Sequence, residues 1–173
     1  MKKKTGETRG VCVIKLNISK AYDKIEWSFL MTAMEHMGFS SKWVQRIFRC
    51  VSTVCYSFMI NGQVKGLVNP SRGLRQGNAI SPYVFRLCAE AFSGLLTKAM
   101  NEKSLHGIKI SGNAPQLSHL LFADDSVLFM RANIEECKRL TDIVSCYESM
   151  SRQRINKEKS EVVFSKNLTI DQK

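Results

Sequence analysis

Short apolar runs alternate along the chain with longer stretches in which apolar residues recur every three or four positions. The run at residues 11–16 predicts a strand. Trp27, Leu30, Met31, Met34 and Met37 share one face of a helix predicted over residues 27–37, and Gly38 ends it. A second helix is predicted over residues 41–51, capped by Ser40 and Ser41, with Trp43, Val44, Ile47 and Phe48 on its inner face. Both tryptophans are thereby assigned to the core. Residues 56–68 read as a hairpin, because Asn61-Gly62 supplies the positive φ angles of a tight turn. A helix over residues 81–100, with Ser81 as N-cap and Pro82 at its first position, carries Val84, Phe85, Leu87, Cys88, Phe92, Leu95 and Leu96 and is expected to be the best buried. Short strands near 107–110 and 117–122, a helix over 134–150 and a strand at 161–164 follow. This mixed order predicts an α+β domain, an antiparallel sheet with helices on one face.

Composition sharpens the picture in two ways. Lys plus Arg number 26 against 15 acidic residues, a net charge of +11 that suits a polyanionic partner. The 173 residues are 44% hydrophobic and lack repeats or linkers, so one domain is expected, with a basic, disordered start at 1–10 containing Lys2, Lys3 and Lys4 and a tail at 168–173. The six cysteines, Cys12, Cys50, Cys55, Cys88, Cys137 and Cys146, show no zinc spacing and read as buried thiols of a protein in a reducing compartment, cytoplasm or nucleus. No membrane partner is expected, since no apolar run reaches ~18 residues.

The candidate chemistry starts from Asp124 and Asp125, which sit between two apolar runs in Leu117-Ser-His-Leu-Leu-Phe-Ala-Asp-Asp-Ser-Val-Leu-Phe-Met130. Flanking strands with almost no loop place both carboxylates at the tip of a hairpin, where like charges repel unless a hard cation faces them. Three further segments accompany this one: Leu16-Asn-Ile-Ser-Lys-Ala-Tyr-Asp23, Arg72-Gly-Leu-Arg-Gln-Gly-Asn-Ala-Ile-Ser-Pro82, and Gln153-Arg-Ile-Asn-Lys-Glu-Lys-Ser160.

In this order and spacing the four segments resemble motifs A, B, C and D of a reverse transcriptase, above all those of LINE-type (non-LTR) retrotransposons of plants. The resemblance extends over about residues 11–167. It implies the palm with the inner part of the fingers, as a partial copy without thumb or endonuclease. It also implies RNA-directed DNA polymerase activity on an RNA template and DNA primer hybrid, with deoxynucleoside triphosphates as substrates and two Mg²⁺ ions held by Asp124, Asp125 and the motif A aspartate. That last position holds Asn17, a neutral side chain with one acceptor oxygen, so little or no activity is expected. The alternative is a non-catalytic, basic nucleic-acid-binding remnant. By the same resemblance Tyr22 lies under the nucleotide sugar, Gln76 and Gly77 touch nucleotide and template, Arg72 and Arg75 meet phosphates, and Lys159 protonates the leaving pyrophosphate. Motif B departs from the family at Asn78-Ala79-Ile80. Arg152 stands where a glycine is usual, at a position expected to need an uncommon backbone angle.

Overall fold

The computed structural model describes residues 10–111 and 113–165; the basic start and the tail lie outside them. The chain forms an α+β fold divided into two compact units.

Of the described residues, the first unit comprises 10–19, 92–111, 113–146 and 155–165. Its centre is β1 (Val11–Ser19), paired antiparallel with β5 (Asp125–Arg131) from Val11 opposite Arg131 to Asn17 opposite Asp125. β4 (His119–Phe122) pairs with the other edge of β5, and β7 (Glu161–Phe164) pairs antiparallel with the Cys12–Lys15 part of β1. The two-residue β6 (Arg154–Ile155) completes the order β4-β5-β1-β6. Alternate residues of the central strands are buried: Cys12, Leu16 and Ile18 on β1, Ser126, Leu128 and Met130 on β5. That is the period of two dictated by the pleat. Further apolar burial comes from Phe92, Leu96 and Ala99 of α3 (Ser81–Asn101), from Leu105, and from Leu140 and Ile143 of α4 (Ile134–Ser151).

The second unit holds residues 20–91 and 147–154. It contains α1 (Trp27–His36), α2 (Ser41–Ser52), the hairpin β2 (Tyr56–Ile60) and β3 (Gln63–Val68), and the first half of α3. Asn61 and Gly62 adopt φ of 50° and 77°, the two positive values expected of the hairpin turn. α3 buries Val84, Phe85, Cys88, Phe92, Leu96 and Ala99, more than any other helix, as its apolar pattern predicts.

Several expectations are corrected. Trp43 is 54% exposed, because α2 buries only Val44 and Val51 and the tryptophan lies beside that narrow stripe. Ser81 is a buried residue of α3 whose hydroxyl donates to the Arg75 carbonyl at 2.6 Å, while the Asn78 side chain accepts from the Ile80 amide. Only Cys12 and Cys88 are buried; Cys50, Cys55 and Cys146 are exposed. Burial pushes the Cys88 thiol up to about 12. Among the described residues no helix is long and apolar enough to cross a membrane.

Arg152 has φ of 60°, the left-handed region in which a side chain is strained. Arg152→Gly is expected to stabilise the fold by about 1 kcal/mol, the strain relieved less glycine's larger unfolded-state entropy. Urea unfolding would show the midpoint rising; a fall would mean that the arginine side chain contributes more than the strain removes.

Candidate active site

The carboxylate pair sits where two strands leave almost no connection. β4 ends with Phe122 opposite Asp125, so the loop is Ala123-Asp124 alone, and Ala123 turns the chain with φ of 51°. The Ile18 amide donates to the Asp124 carbonyl at 2.9 Å, fixing this turn against the end of β1. The register brings Asn17 directly opposite Asp125.

The Asn17 side chain lies between both acids. Its Nδ2 donates to Asp125 Oδ1 at 3.0 Å and is 3.4 Å from Asp124 Oδ2. The opposite amide orientation would aim a carbonyl oxygen at two carboxylates, so electrostatics alone selects this one. Two residues back on the same strand face, Lys15 Nζ stands 3.5 Å from Asp125 Oδ2. The Asn17 hydrogen bond is the main cause holding the Asp125 carboxyl below the usual range; desolvation opposes it, and the Lys15 charge adds a lesser lowering effect.

The backbone of Asn17 is gripped as well. Its amide donates to Ser160 Oγ at 3.2 Å, and its carbonyl accepts from the Asn156 amide at 2.7 Å. Asn156 in turn caps the 3₁₀ turn Lys157–Lys159, its Oδ1 accepting from the amides of Glu158 and Lys159. Lys159 is exposed on that turn. Sequence reasoning passed over Lys15, Asn156 and Ser160. Lys15 was detectable from its i−2 spacing, and Asn156 from its place as a cap before Lys157-Glu158-Lys159.

The other candidate residues belong to the second unit, in the turn after β1 and the loop before α3. Tyr22 is half-buried and stacks on Phe85, ring centroids 4.6 Å apart and planes 6° from parallel. The loop is tied to the turn by three bonds: the Leu74 amide to the Tyr22 carbonyl at 2.9 Å, the Gly73 amide to the Ile25 carbonyl at 2.8 Å, and Trp27 Nε1 to the Gly73 carbonyl at 2.8 Å. Gln76 Nε2 reaches Asp23 Oδ1 at 3.4 Å, and Arg72 pairs with Glu26 at 3.6 Å. Arg72, Arg75, Asp23 and Tyr56 line a cleft of about 210 Å³. Gly77 has φ of 80° with open space where a Cβ would stand, so the backbone angle is what calls for glycine there.

Beneath this turn lies a buried brace. Gln153, 1% exposed, donates from Nε2 to the Ala21 carbonyl at 2.7 Å and accepts at Oε1 from the Tyr147 hydroxyl. The sequence marks Gln153 only as part of a motif; its burial is what shows that it supports the Tyr22 turn.

A family match decides the identity. Residues 2–170 match the family described as reverse transcriptase (RNA-dependent DNA polymerase). The chain belongs to the reverse transcriptase family. Among relatives of this reverse transcriptase-family chain, the uncharacterized mitochondrial protein AtMg01250 of Arabidopsis thaliana is 56% identical over 69 residues, 40% of this chain and 57% of the relative. The transposon TX1 uncharacterized 149 kDa protein of Xenopus laevis is 23% identical over 91% of this chain and 12% of its own length. The Pol polyprotein from the type-1 retrotransposable element R2 of Popillia japonica is 24% identical over 71% of this chain and 19% of its own. The chain thus spans between about an eighth and just over half of these relatives. Telomerase of Candida tropicalis in complex with a fragment of telomeric RNA shares the fold, with a TM-score of 0.71 at 13% identity over 95% of this chain and 27% of the telomerase chain. The apo form truncated from the C-terminal domain gives 0.65 at 16% identity, over 96% and 33%.

The donor set of this reverse transcriptase-family chain does not fit a pair of divalent cations. The space between the carboxylates is bridged by an amide that donates rather than coordinates, and Asp125 already has Lys15 as counter-ion. Among the described residues no three His, Cys, Asp or Glu side chains gather as a metal-binding group.

Proposed function

We propose that this chain is the motif A to D part of a plant LINE-type reverse transcriptase, an RNA-directed DNA polymerase domain in which Asn17 replaces the motif A aspartate, leaving little or no activity. The observation that carries the reading is the Asn17 amide bridging Asp124 and Asp125. Nucleotidyl transfer of this class needs carboxylates that together hold Mg²⁺ at the reacting phosphate. Here two carboxylates are occupied by hydrogen bonds to a neutral side chain, and the third is absent.

The remaining residues keep roles that suit a deoxynucleotide and an RNA–DNA hybrid. Tyr22, stiffened by Phe85, presents a flat aromatic to the sugar. Gln76 and Gly77 face nucleotide and template from a loop whose backbone is fixed at Gly73 and Leu74. Arg72 and Arg75 supply positive charge for phosphates, and Lys159 an ammonium for the leaving pyrophosphate.

Primer extension on an RNA template with Mg²⁺ tests this. The unmodified chain is expected to extend nothing, Asn17→Asp to gain on the order of a hundredfold or more, and the double change Asn17→Asp, Asp124→Ala to lose it again. Extension by the unmodified chain equal to that of Asn17→Asp would overturn the role given to Asn17. The second reading, a non-catalytic binding remnant, is favoured by the same Asn17 bridge. It requires hybrid binding that weakens steeply with added salt.

A further inference from the structure

We propose that the outer face of α2 is a docking surface for single-stranded nucleic acid, separate from the residues assigned to polymerisation. Lys42, Arg46 and Arg49 are all exposed, and at 100° per residue they fall within about 60° of one another, opposite the buried Val44 and Val51. They form a positive stripe about 10 Å long. The helix Ser41–Ser52 has no acidic residue to neutralise it.

A stripe of this kind is by itself an ordinary solvated helix face. Trp43 makes it more than that. Tryptophan is seldom left open to water, yet this one is 54% exposed at the border of the stripe. The Arg46 guanidinium lies 5.5 Å from its ring centroid, covering one face by a cation–π contact. That contact orders the ring beside the cations and leaves more than half of the residue open to solvent. An exposed indole next to phosphate-binding charges is the pairing by which strands are held without sequence preference, bases stacking on the aromatic while cations follow the backbone. The charge complementarity selects a polyanion, and the exposed ring selects one whose bases are unpaired. The surface stands whether or not the chain polymerises.

The test measures binding of a fluorescein-labelled oligothymidylate by anisotropy across a salt series, without nucleotides or Mg²⁺, so that its outcome is independent of primer extension. Trp43→Ala is expected to weaken binding roughly tenfold, while Trp43→Phe, which keeps a stacking ring, stays near the parent. The triple change Lys42→Glu, Arg46→Glu, Arg49→Glu is expected to reduce the log–log salt slope by about 2. The equally charged set Lys98→Glu, Lys109→Glu, Lys138→Glu should leave most of it. Circular dichroism checks that each variant keeps its helix content. Should the triple change unfold α2, the Trp43 pair still decides. Equal weakening by the two charge sets would reduce the effect to bulk charge and overturn the proposal. So would a Trp43→Ala chain that binds like the parent, or a DNA duplex bound more tightly than the single strand.

Discussion

Asn17→Asp is expected to make the folded protein dependent on a divalent cation. The substitution removes the amide that donates to Asp124 and Asp125 and sets a third carboxylate directly opposite Asp125 in the β1–β5 register. Like charges opposed across a strand pair repel, and Lys15 is their counter-ion among the described residues. In chelator the thermal midpoint is therefore expected to fall below that of the unmodified chain. A cation that binds the folded state alone then raises stability in proportion to the logarithm of its concentration over Kd, so millimolar Mg²⁺ should restore the Asn17→Asp midpoint. The unmodified chain should not respond.

The pH dependence should invert as well. In the unmodified chain Asp125 is held below its ordinary range, chiefly by the Asn17 hydrogen bond. Its contribution to stability is present above the unfolded carboxylate pKa, near 3.9, and is lost as pH falls through the depressed folded value. With three crowded carboxylates and no cation, folded pKa values rise, and stability instead declines as pH climbs through the carboxylate range. Differential scanning fluorimetry of both chains, with and without Mg²⁺, checks each part. A Mg²⁺ response of equal size in the unmodified chain would show that the Asn17 bridge yields readily to a cation.

Gly73→Ala is expected to be the most damaging single methyl in the loop before α3. The residue has φ of 85°, and an added Cβ would stand 2.7 Å from the Asp23 carbonyl oxygen and 3.1 Å from its carbon, both backbone atoms. Left-handed strain costs about 1–2 kcal/mol, and overpacking against backbone a further 1–3. Gly73 cannot shift freely, because its amide donates to Ile25 and its carbonyl accepts from Trp27. A loss of about 3 kcal/mol, or roughly 6–12 °C in Tm for a chain of this size, is the expected result. Gly77→Ala is the matched control: its φ of 80° carries the same strain, but nothing lies within 4 Å of the new Cβ. A loss near 1 kcal/mol is expected there. Equal losses at the two positions would show that the clash with Asp23 is relieved by a small movement and that strain alone counts.

Much of the local structure was legible because it depends on neighbours in sequence. Asn61-Gly62 closes its hairpin since those two residues tolerate positive φ, and β4 and β5 leave only Ala123-Asp124 between them because apolar runs flank the acids on both sides. Arg152 adopts the angle anticipated for a position where a glycine is usual. The stripe of α3 likewise emerges where the period of the apolar residues puts it, and that of α1 does so in part, with Leu30 and Met34 buried but Trp27, Met31 and Met37 only half-buried.

The face of α2 was read less well. Periodicity says which residues share a side of a helix but not how wide a strip the neighbours cover. Val44 and Val51 are covered and Trp43 is not. Cysteine exposure escaped for the same reason: Cys50 and Cys55 sit among apolar residues in sequence yet at the surface in space.

By itself the sequence determined most element types and the hairpin turn at Asn61-Gly62, because these rest on backbone preferences and spacings within a few residues. The strand expected near 107–110 is instead a single bridge between Ile108 and Leu117, whose extent depends on pairing partners that the local pattern does not contain. Only the tertiary structure decided what Asn17 does, since Asp125 lies 108 positions away and meets it through strand register. It likewise decided that Gln153 braces Ala21 across 132 positions. Hydrogen-bond direction and burial are properties of atoms brought together by the fold, and no local pattern of residues contains them.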